Sequence, residues 1–313
     1  MKGLRPLDPR CDFPEIVELI ALGFREEMDP LGQKLLAQMR RRAGYGIFSQ
    51  ILWGGPLNLE GFVWEEEGRI VGNLSVRRAL PSWNEGRIIG NVVVHPEYRG
   101  RGIARALMQA AEATSRTEGA RWMGLEVRAD NDVARTLYTH MGFRAVSEVE
   151  HLLHPGTPWP TMEAPRAIWR RSQPLDRLLW AGLAEKTMSR LQAQVLEVRP
   201  DLYTFGGFER GLDLWFNRER EIAWIEDVTD PQLAVSIQTD LRRHFHVWEL
   251  LALPKMDESQ AQEAVSRASA SVSRYRHWPV VTFVDSQTAL VNVLRAWGFV
   301  RHRLLTQMHR TLD

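Results

Sequence analysis

Residues 92–104, Val-Val-Val-His-Pro-Glu-Tyr-Arg-Gly-Arg-Gly-Ile-Ala, combine residue types that together bind phosphate. The β-branched run Val92–Val94 reads as a buried strand, and Pro96 cannot continue a sheet ladder, so the strand ends there. A helix opens at once, with Ile103, Ala104, Leu107, Met108 and Ala111 at helical spacing and Gly119 as the stop. The first turn of such a helix offers backbone N–H groups without intrahelical partners, together with the positive end of the dipole. Gly100 and Gly102 remove side chains that would hold an anion away, Arg99 and Arg101 add charge, and Ala104 stays small. The Walker pattern fails here for want of a Gly-Lys-Ser/Thr ending. The dinucleotide pattern fails because Arg105 stands where a third glycine or alanine is needed. The expectation is a pyrophosphate cradle of another kind.

The order Arg99-x-x-Gly102-x-Ala104 resembles the Arg/Gln-x-x-Gly-x-Gly/Ala signature of the GNAT acyltransferase superfamily, which holds the pyrophosphate of coenzyme A. Downstream, Asn131-x-x-Ala134-x-x-Leu137-Tyr138-x-x-x-Gly142-Phe143 is similar to the second motif of that family, in the right order and spacing. The resemblance covers about residues 3–153. It implies an acetyl-CoA-dependent N-acetyltransferase in which acetyl passes directly from the thioester to a primary amine, with no metal.

The resemblance also implies roles. The backbone of Val92–Val94 would pair with the pantetheine arm and direct an N–H at the thioester oxygen. Ile103 and Ala104 complete the pyrophosphate cradle formed by Arg99, Gly100, Arg101 and Gly102, and Asn131 would bond the pantetheine or cap its helix. An amine of pKa about 10.4 is neutral in only about one molecule in 2,500 at pH 7, so a base is useful. Glu126 is the candidate. It alternates with Leu125 and Val127, and its Leu-Glu-Val-Arg setting is similar to that of ribosomal-protein N-terminal acetyltransferases, which use this glutamate as base. Tyr138, protonated at neutral pH, is the candidate acid for the departing thiolate. Glu65–Glu67 are weaker candidates at a hairpin tip, His95 reads as structural, and no Ser/His/Asp arrangement or metal-ligand spacing occurs elsewhere.

The elements that must position these groups follow from pattern. Leu4–Leu7 reads as a strand. Asp12 caps a helix whose box Glu15 closes, and a second helix runs from about Pro30 to Arg42. Acceptor selectivity is expected from residues 43–59. Phe62–Glu66 and Ile70–Arg77 form a hairpin about Glu67-Gly68, and Pro81–Gly86 is a loop. After the central strand and its helix come a strand Trp122–Val127, a helix Asp132–His140 and a strand from Phe143. The order β-α-α-β-β-β-α-β-α-β defines an α/β (α+β) fold with a mixed sheet flanked by helices.

Residues 154–167, with their prolines, read as a linker between a catalytic domain, 1–153, and a second copy, 168–313. Val280–Phe299 aligns with Gly124–Phe143, and a strand His246–Pro254 precedes a helix from Glu258 to Tyr275. Thr282, Gln287 and Leu294 replace Glu126, Asn131 and Tyr138, and Asp257-Glu-Ser-Gln260 replaces the basic loop. Carboxylates at a helix N-terminus repel pyrophosphate, so the second copy is expected to be degenerate. A helix from about Leu175 to Gln192 has only a loose counterpart in the first copy. A non-catalytic CoA-binding sensor or scaffold is the alternative reading.

The 313 residues carry a net charge of +1, which gives no basis for a nucleic-acid or membrane partner; the resemblance implies a small-molecule or protein amine as acceptor, and a homodimer stays open. The single Cys11 excludes an intrachain disulfide framework. No apolar run of membrane-spanning length and no signal-peptide core is present, so the expected compartment is the cytoplasm. Most of the 12 Trp should fill cores, with a minority free to meet cations.

Overall fold

Alternating apolar residues, broken at Glu67-Gly68, set the first sheet. β1 (Gly3–Pro6), β2 (Glu60–Glu66), β3 (Arg69–Arg78) and β4 (Gly86–Val94) lie side by side as antiparallel neighbours, and β5 (Trp122–Arg128) joins β4 in parallel. Glu67 and Gly68 both take positive φ, as a tight hairpin turn requires. The structure is a computed structural model and describes residues 3–45, 60–79, 85–157, 159, 168–198 and 200–312. Most of 43–59 and of the expected loop at 81–86, and much of the linker 154–167, lie outside the described residues.

The described residues form two compact units that interleave along the chain. The first comprises Met1–Glu126, Thr136–Arg144 and Met308–Asp313; the second comprises Val127–Arg135 and Ala145–Gln307. Packing thus groups the last residues with the first unit, where the Leu312 N–H donates to the Arg121 carbonyl at 2.7 Å and His309 stacks on Trp122.

In the first unit, α1 (Phe13–Gly23) and α2 (Pro30–Tyr45) cover one face. Ile16, Leu19 and Ile20 pack there against Val63, Ile70 and Val93. The expected capping box does not form. Asp12 is helical in φ/ψ and its carboxylate is held by Arg5 at 2.7 and 2.9 Å, while Glu15 accepts the Ile70 N–H at 2.9 Å. A strong ion pair outcompetes the local cap, and Glu15 serves the sheet instead. The opposite face is covered by α3 (Ile103–Thr117), which buries Ile103, Leu107, Met108 and Ala111. Each of the three larger side chains contributes about 1.5–3 kcal/mol by burial. Gly72 lets α3 approach closely, since a Cβ there would meet Ile103 Cγ2 at 2.8 Å. α4 (Asp132–His140) leads into β6 (Arg144–His154).

The second unit orders its strands β6-β11-β10-β9-β8-β7, from β7 (Trp169–Arg171), β8 (Glu219–Glu226), β9 (Leu233–Asp240), β10 (Phe245–Ala252) and β11 (Val280–Asp285). β12 (Val300–Thr311) lies beside β6. β10 and β11 form a parallel pair, and α8 (Glu258–Ser271) and α9 (Ala289–Ala296) supply Ala261, Ala264, Val265, Leu290 and Leu294 to its core. The single helix expected over 175–192 is instead α5 (Arg177–Thr187) and α6 (Arg190–Leu196), followed by α7 (Phe208–Asn217). Met188 is extended, and Ser189 accepts the Gln192 N–H at 3.2 Å, so a serine cap starts a new helix inside the apolar pattern.

Candidate active site

The central feature of the first unit is where β4 stops pairing with β5. Their parallel register runs from Gly86↔Trp122 to Ile89↔Leu125 and ends there, although β4 continues to Val94. Beyond Ile89, the β5-facing edge of β4, including Val92 and Val94, has no ladder partner from β5. On the other side β4 stays paired to β3, but the register shifts. Asn73 opposes Val93 while Ser75 opposes Gly90, so β4 carries one extra residue. Asn91 takes φ 52°, a left-handed conformation costly for a side-chain-bearing residue. This β-bulge re-aims the backbone of β4 at the splayed gap.

Two side-chain amides hold the bulge. Buried Asn73 donates to the Asn91 carbonyl at 3.0 Å, and the Asn91 amide reaches the Ser75 hydroxyl at 3.4 Å. Sequence reading missed both. The available signal was Asn91 itself, a polar residue within the apolar run Ile88–Val94.

The glycine-rich loop follows. The His95 N–H closes the β3–β4 ladder on the Val71 carbonyl at 2.8 Å, and Pro96 begins a short 3₁₀ turn. Gly100 and Gly102 take φ 76° and 79°, and a Cβ at either would meet nothing within 4 Å. The glycines therefore serve backbone conformation and open space rather than internal packing. Gly102 is the N-cap of α3 with no side-chain cap, and its carbonyl takes the Ala106 N–H at 3.0 Å. The N–H groups of Ile103 and Ala104 precede that first intrahelical bond, leaving them for an anion. Ile103 is buried and anchors the turn, whereas Ala104 is half-buried. Arg99 is exposed, its Nε donating to the Val94 carbonyl at 3.3 Å. Arg101 donates to the Glu97 carbonyl at 3.0 Å, lies 4.7 Å from the Tyr98 ring and reaches Glu66 at 4.0 Å. Both guanidiniums are thus tethered beside the open amides.

Glu126 is the exposed residue of β5, set between buried Leu125 and Val127 and one position beyond the last β4–β5 pair. Tyr138, on α4, is buried and packs against Phe143 with ring centroids 6.1 Å apart. Burial pushes its phenol up to about 12. The chain reverses behind it through Gly142, at φ 85°, and the Phe143 N–H returns to the Tyr138 carbonyl at 3.0 Å. Asn131 falls in the second unit, where its side chain caps α4 by accepting the Ala134 N–H at 3.1 Å.

The second unit keeps the splay, since β10 and β11 pair only from His246↔Val280 to Trp248↔Thr282 while β10 continues to Ala252, but it lacks the other devices at the matching place. β9 and β10 keep an unbroken register from Asp240↔Phe245 to Leu233↔Ala252, without a bulge. The N-terminus of α8 is closed by its own side chains: Asp257 accepts the Gln260 N–H at 2.9 Å, and Gln260 accepts the Asp257 N–H at 3.3 Å. Leu294, where Tyr138 would stand, is a fully buried core residue. Among the described residues no group of His, Cys, Asp and Glu could hold a metal ion.

Residues 31–143 match the Acetyltransferase (GNAT) family. Glucosamine 6-phosphate N-acetyltransferase of Trypanosoma brucei brucei is 34% identical over 130 residues, spanning 40% of this chain and 78% of that protein. An N-alpha-acetyltransferase of Sulfurisphaera tokodaii is 32% identical over 113 residues, 33% of this chain and 68% of its own length. Among solved structures, a tandem GNAT protein from the clavulanic acid biosynthesis pathway superposes with a TM-score of 0.62 at 16% identity, covering 99% of this chain and 98% of that one. A GCN5-related N-acetyltransferase from Sphaerobacter thermophilus gives 0.62 at 18%, covering 98% and 95%. The family uses acetyl-CoA, and the splayed strands, bulge and open glycine loop fit that donor. The chain belongs to the GNAT family and is an acetyltransferase of tandem GNAT fold.

Proposed function

We propose that this protein transfers acetyl from acetyl-CoA to a primary amine within its first unit, while the second unit is catalytically silent. The observation that carries the reading is the open, positive-φ Gly100–Gly102 turn at the start of α3, set against the self-capped start of α8. The backbone of Val92–Val94 pairs with the pantetheine arm, and an amide at the bulge polarises the thioester carbonyl, an effect typically of about 3–4 kcal/mol. Arg99, Gly100, Arg101, Gly102, Ile103 and Ala104 take the pyrophosphate, and Asn131 supports the strand-to-helix turn.

Glu126 removes the amine proton, directly or through water. The neutral amine forms the new C–N bond, the C–S bond breaks as Tyr138 gives its proton to the thiolate, and the proton that the attached nitrogen sheds as the amide forms returns through water to the Tyr138 phenolate. Burial raises the phenol, which makes it a weaker acid, and a thiolate formed beside it in the same buried surroundings is by the same effect a stronger base, which offsets that loss. The acceptor is a small-molecule or protein amine, and the compartment is the cytoplasm. Thiol release from acetyl-CoA across a panel of amines tests the proposal. Turnover on at least one primary amine supports it; tight acetyl-CoA binding without turnover on any would replace it with a sensor role.

A further inference from the structure

Two arginines of the second unit rest against one indole. The guanidinium of Arg267, from α8, lies 3.6 Å from the Trp224 ring centroid, and that of Arg171, from β7, lies 5.1 Å from it. The β7–β8 register sets Arg171 opposite Trp224 and Trp169 opposite Glu226, so these side chains share one face of the sheet. Trp169 and Trp224 pack there against the cluster that includes Ala264 and Ala268 of α8.

Neither Arg171 nor Arg267 forms an ion pair with a described residue. The carboxylates around them are engaged elsewhere: Asp176 and Asp227 with Arg170 at 2.7 and 3.3 Å, and Glu226 with the Gln232 N–H at 2.8 Å. The Nε of Arg267 and the indole N–H groups of Trp169 and Trp224 are buried donors with no acceptor among the described residues. Burial, and then repulsion from Arg171, hold the Arg267 guanidinium below its ordinary value. A cation–π contact accounts for one guanidinium on the ring. It does not account for a second positive charge brought beside the first with no carboxylate to offset the repulsion.

We propose that Arg171, Arg267 and Trp224 form a phosphate-binding site on the second unit, for phosphate free or esterified to a small molecule. A dianion balances two guanidiniums where a carboxylate leaves one charge over, and both forks match phosphate oxygens. Arg171 is exposed and Arg267 half-buried, so the ligand enters from the surface. The site belongs to elements that carry none of the glycine-loop residues.

Isothermal titration of the full chain in a Gly102→Glu background, which blocks the glycine loop, reads this site alone, whether or not the first unit binds coenzyme A. The expected result is one saturable site for inorganic phosphate at constant ionic strength. Arg171→Gln should weaken it about tenfold or more, and acetate should bind at least about tenfold less tightly. Glycerol phosphate binding more tightly than inorganic phosphate identifies an esterified ligand; equal or weaker binding identifies the free ion. Because Arg171 is exposed, its variant keeps the test valid should Arg267→Gln fail to fold. Absence of saturable phosphate binding, binding unchanged in Arg171→Gln, or acetate binding as tightly as phosphate overturns the proposal.

Discussion

Asn73 donates its side-chain amide to the backbone carbonyl of Asn91 at 3.0 Å, where β3 and β4 lose register. The bond fixes the left-handed Asn91 and so fixes which way the edge of β4 faces the gap to β5. Asn73→Ala removes that restraint and takes the side-chain donor from a part-buried carbonyl. The expected cost is about 1–3 kcal/mol of folding stability, read by denaturant titration. Affinity for coenzyme A should fall by about fivefold or more, roughly 1 kcal/mol. Lowered stability with unchanged affinity would confine Asn73 to a folding role.

Tyr138→Phe should lower kcat by about tenfold or more while leaving coenzyme A affinity nearly unchanged. Near-normal turnover removes the acid role.

The same tyrosine predicts a pH dependence. Its folded pKa is raised from 10.0 to about 12, so the stability it contributes is fully present below pH 10 and is lost as pH rises through 12. Wild type should therefore lose roughly 2–3 kcal/mol across that window relative to Tyr138→Phe. Parallel alkaline melting curves for the two proteins would contradict the burial argument.

Glu126→Gln keeps the shape of an exposed strand residue and removes its basicity. The expected effect is a fall of about 100-fold or more in kcat/KM, with a small change in coenzyme A affinity. Partial rescue at high pH, where the amine is neutral without help, should accompany it. Activity equal to wild type would assign the base elsewhere.

Asp257→Ala opens the capping box of α8 and should cost about 1 kcal/mol of stability. Turnover should be unaffected, because no step uses that helix. A large loss of turnover in a folded protein would give the second unit a part in the reaction.

Local chemistry was legible in the sequence. Pro96 ending β4, Gly102 opening α3, Gly119 closing it and the Glu67-Gly68 turn each follow from a φ restriction or a missing donor that one residue imposes. Long-range choices were less legible. Asp12 and Glu15 fit a capping box by spacing, yet Arg5 and the Ile70 amide, distant in sequence or in another element, compete for them. β6 pairs antiparallel with β11, Val149 opposite Asp285 through His154 opposite Val280, and Met308–Asp313 pack with the first unit. No local pattern specifies such pairing, because any strand of matching alternation satisfies the same edge. The bulge lay between these extremes: Asn91 marked it, but its partner Asn73 sits on another strand.

The most direct measurement is a crystal structure of the full chain with acetyl-CoA. The account predicts one donor molecule in the first unit, its diphosphate on the amides of Gly100–Ala104 and its thioester between Val92–Val94 and Glu126. A diphosphate bound instead against Asp257 and Glu258 at the start of α8 would contradict it.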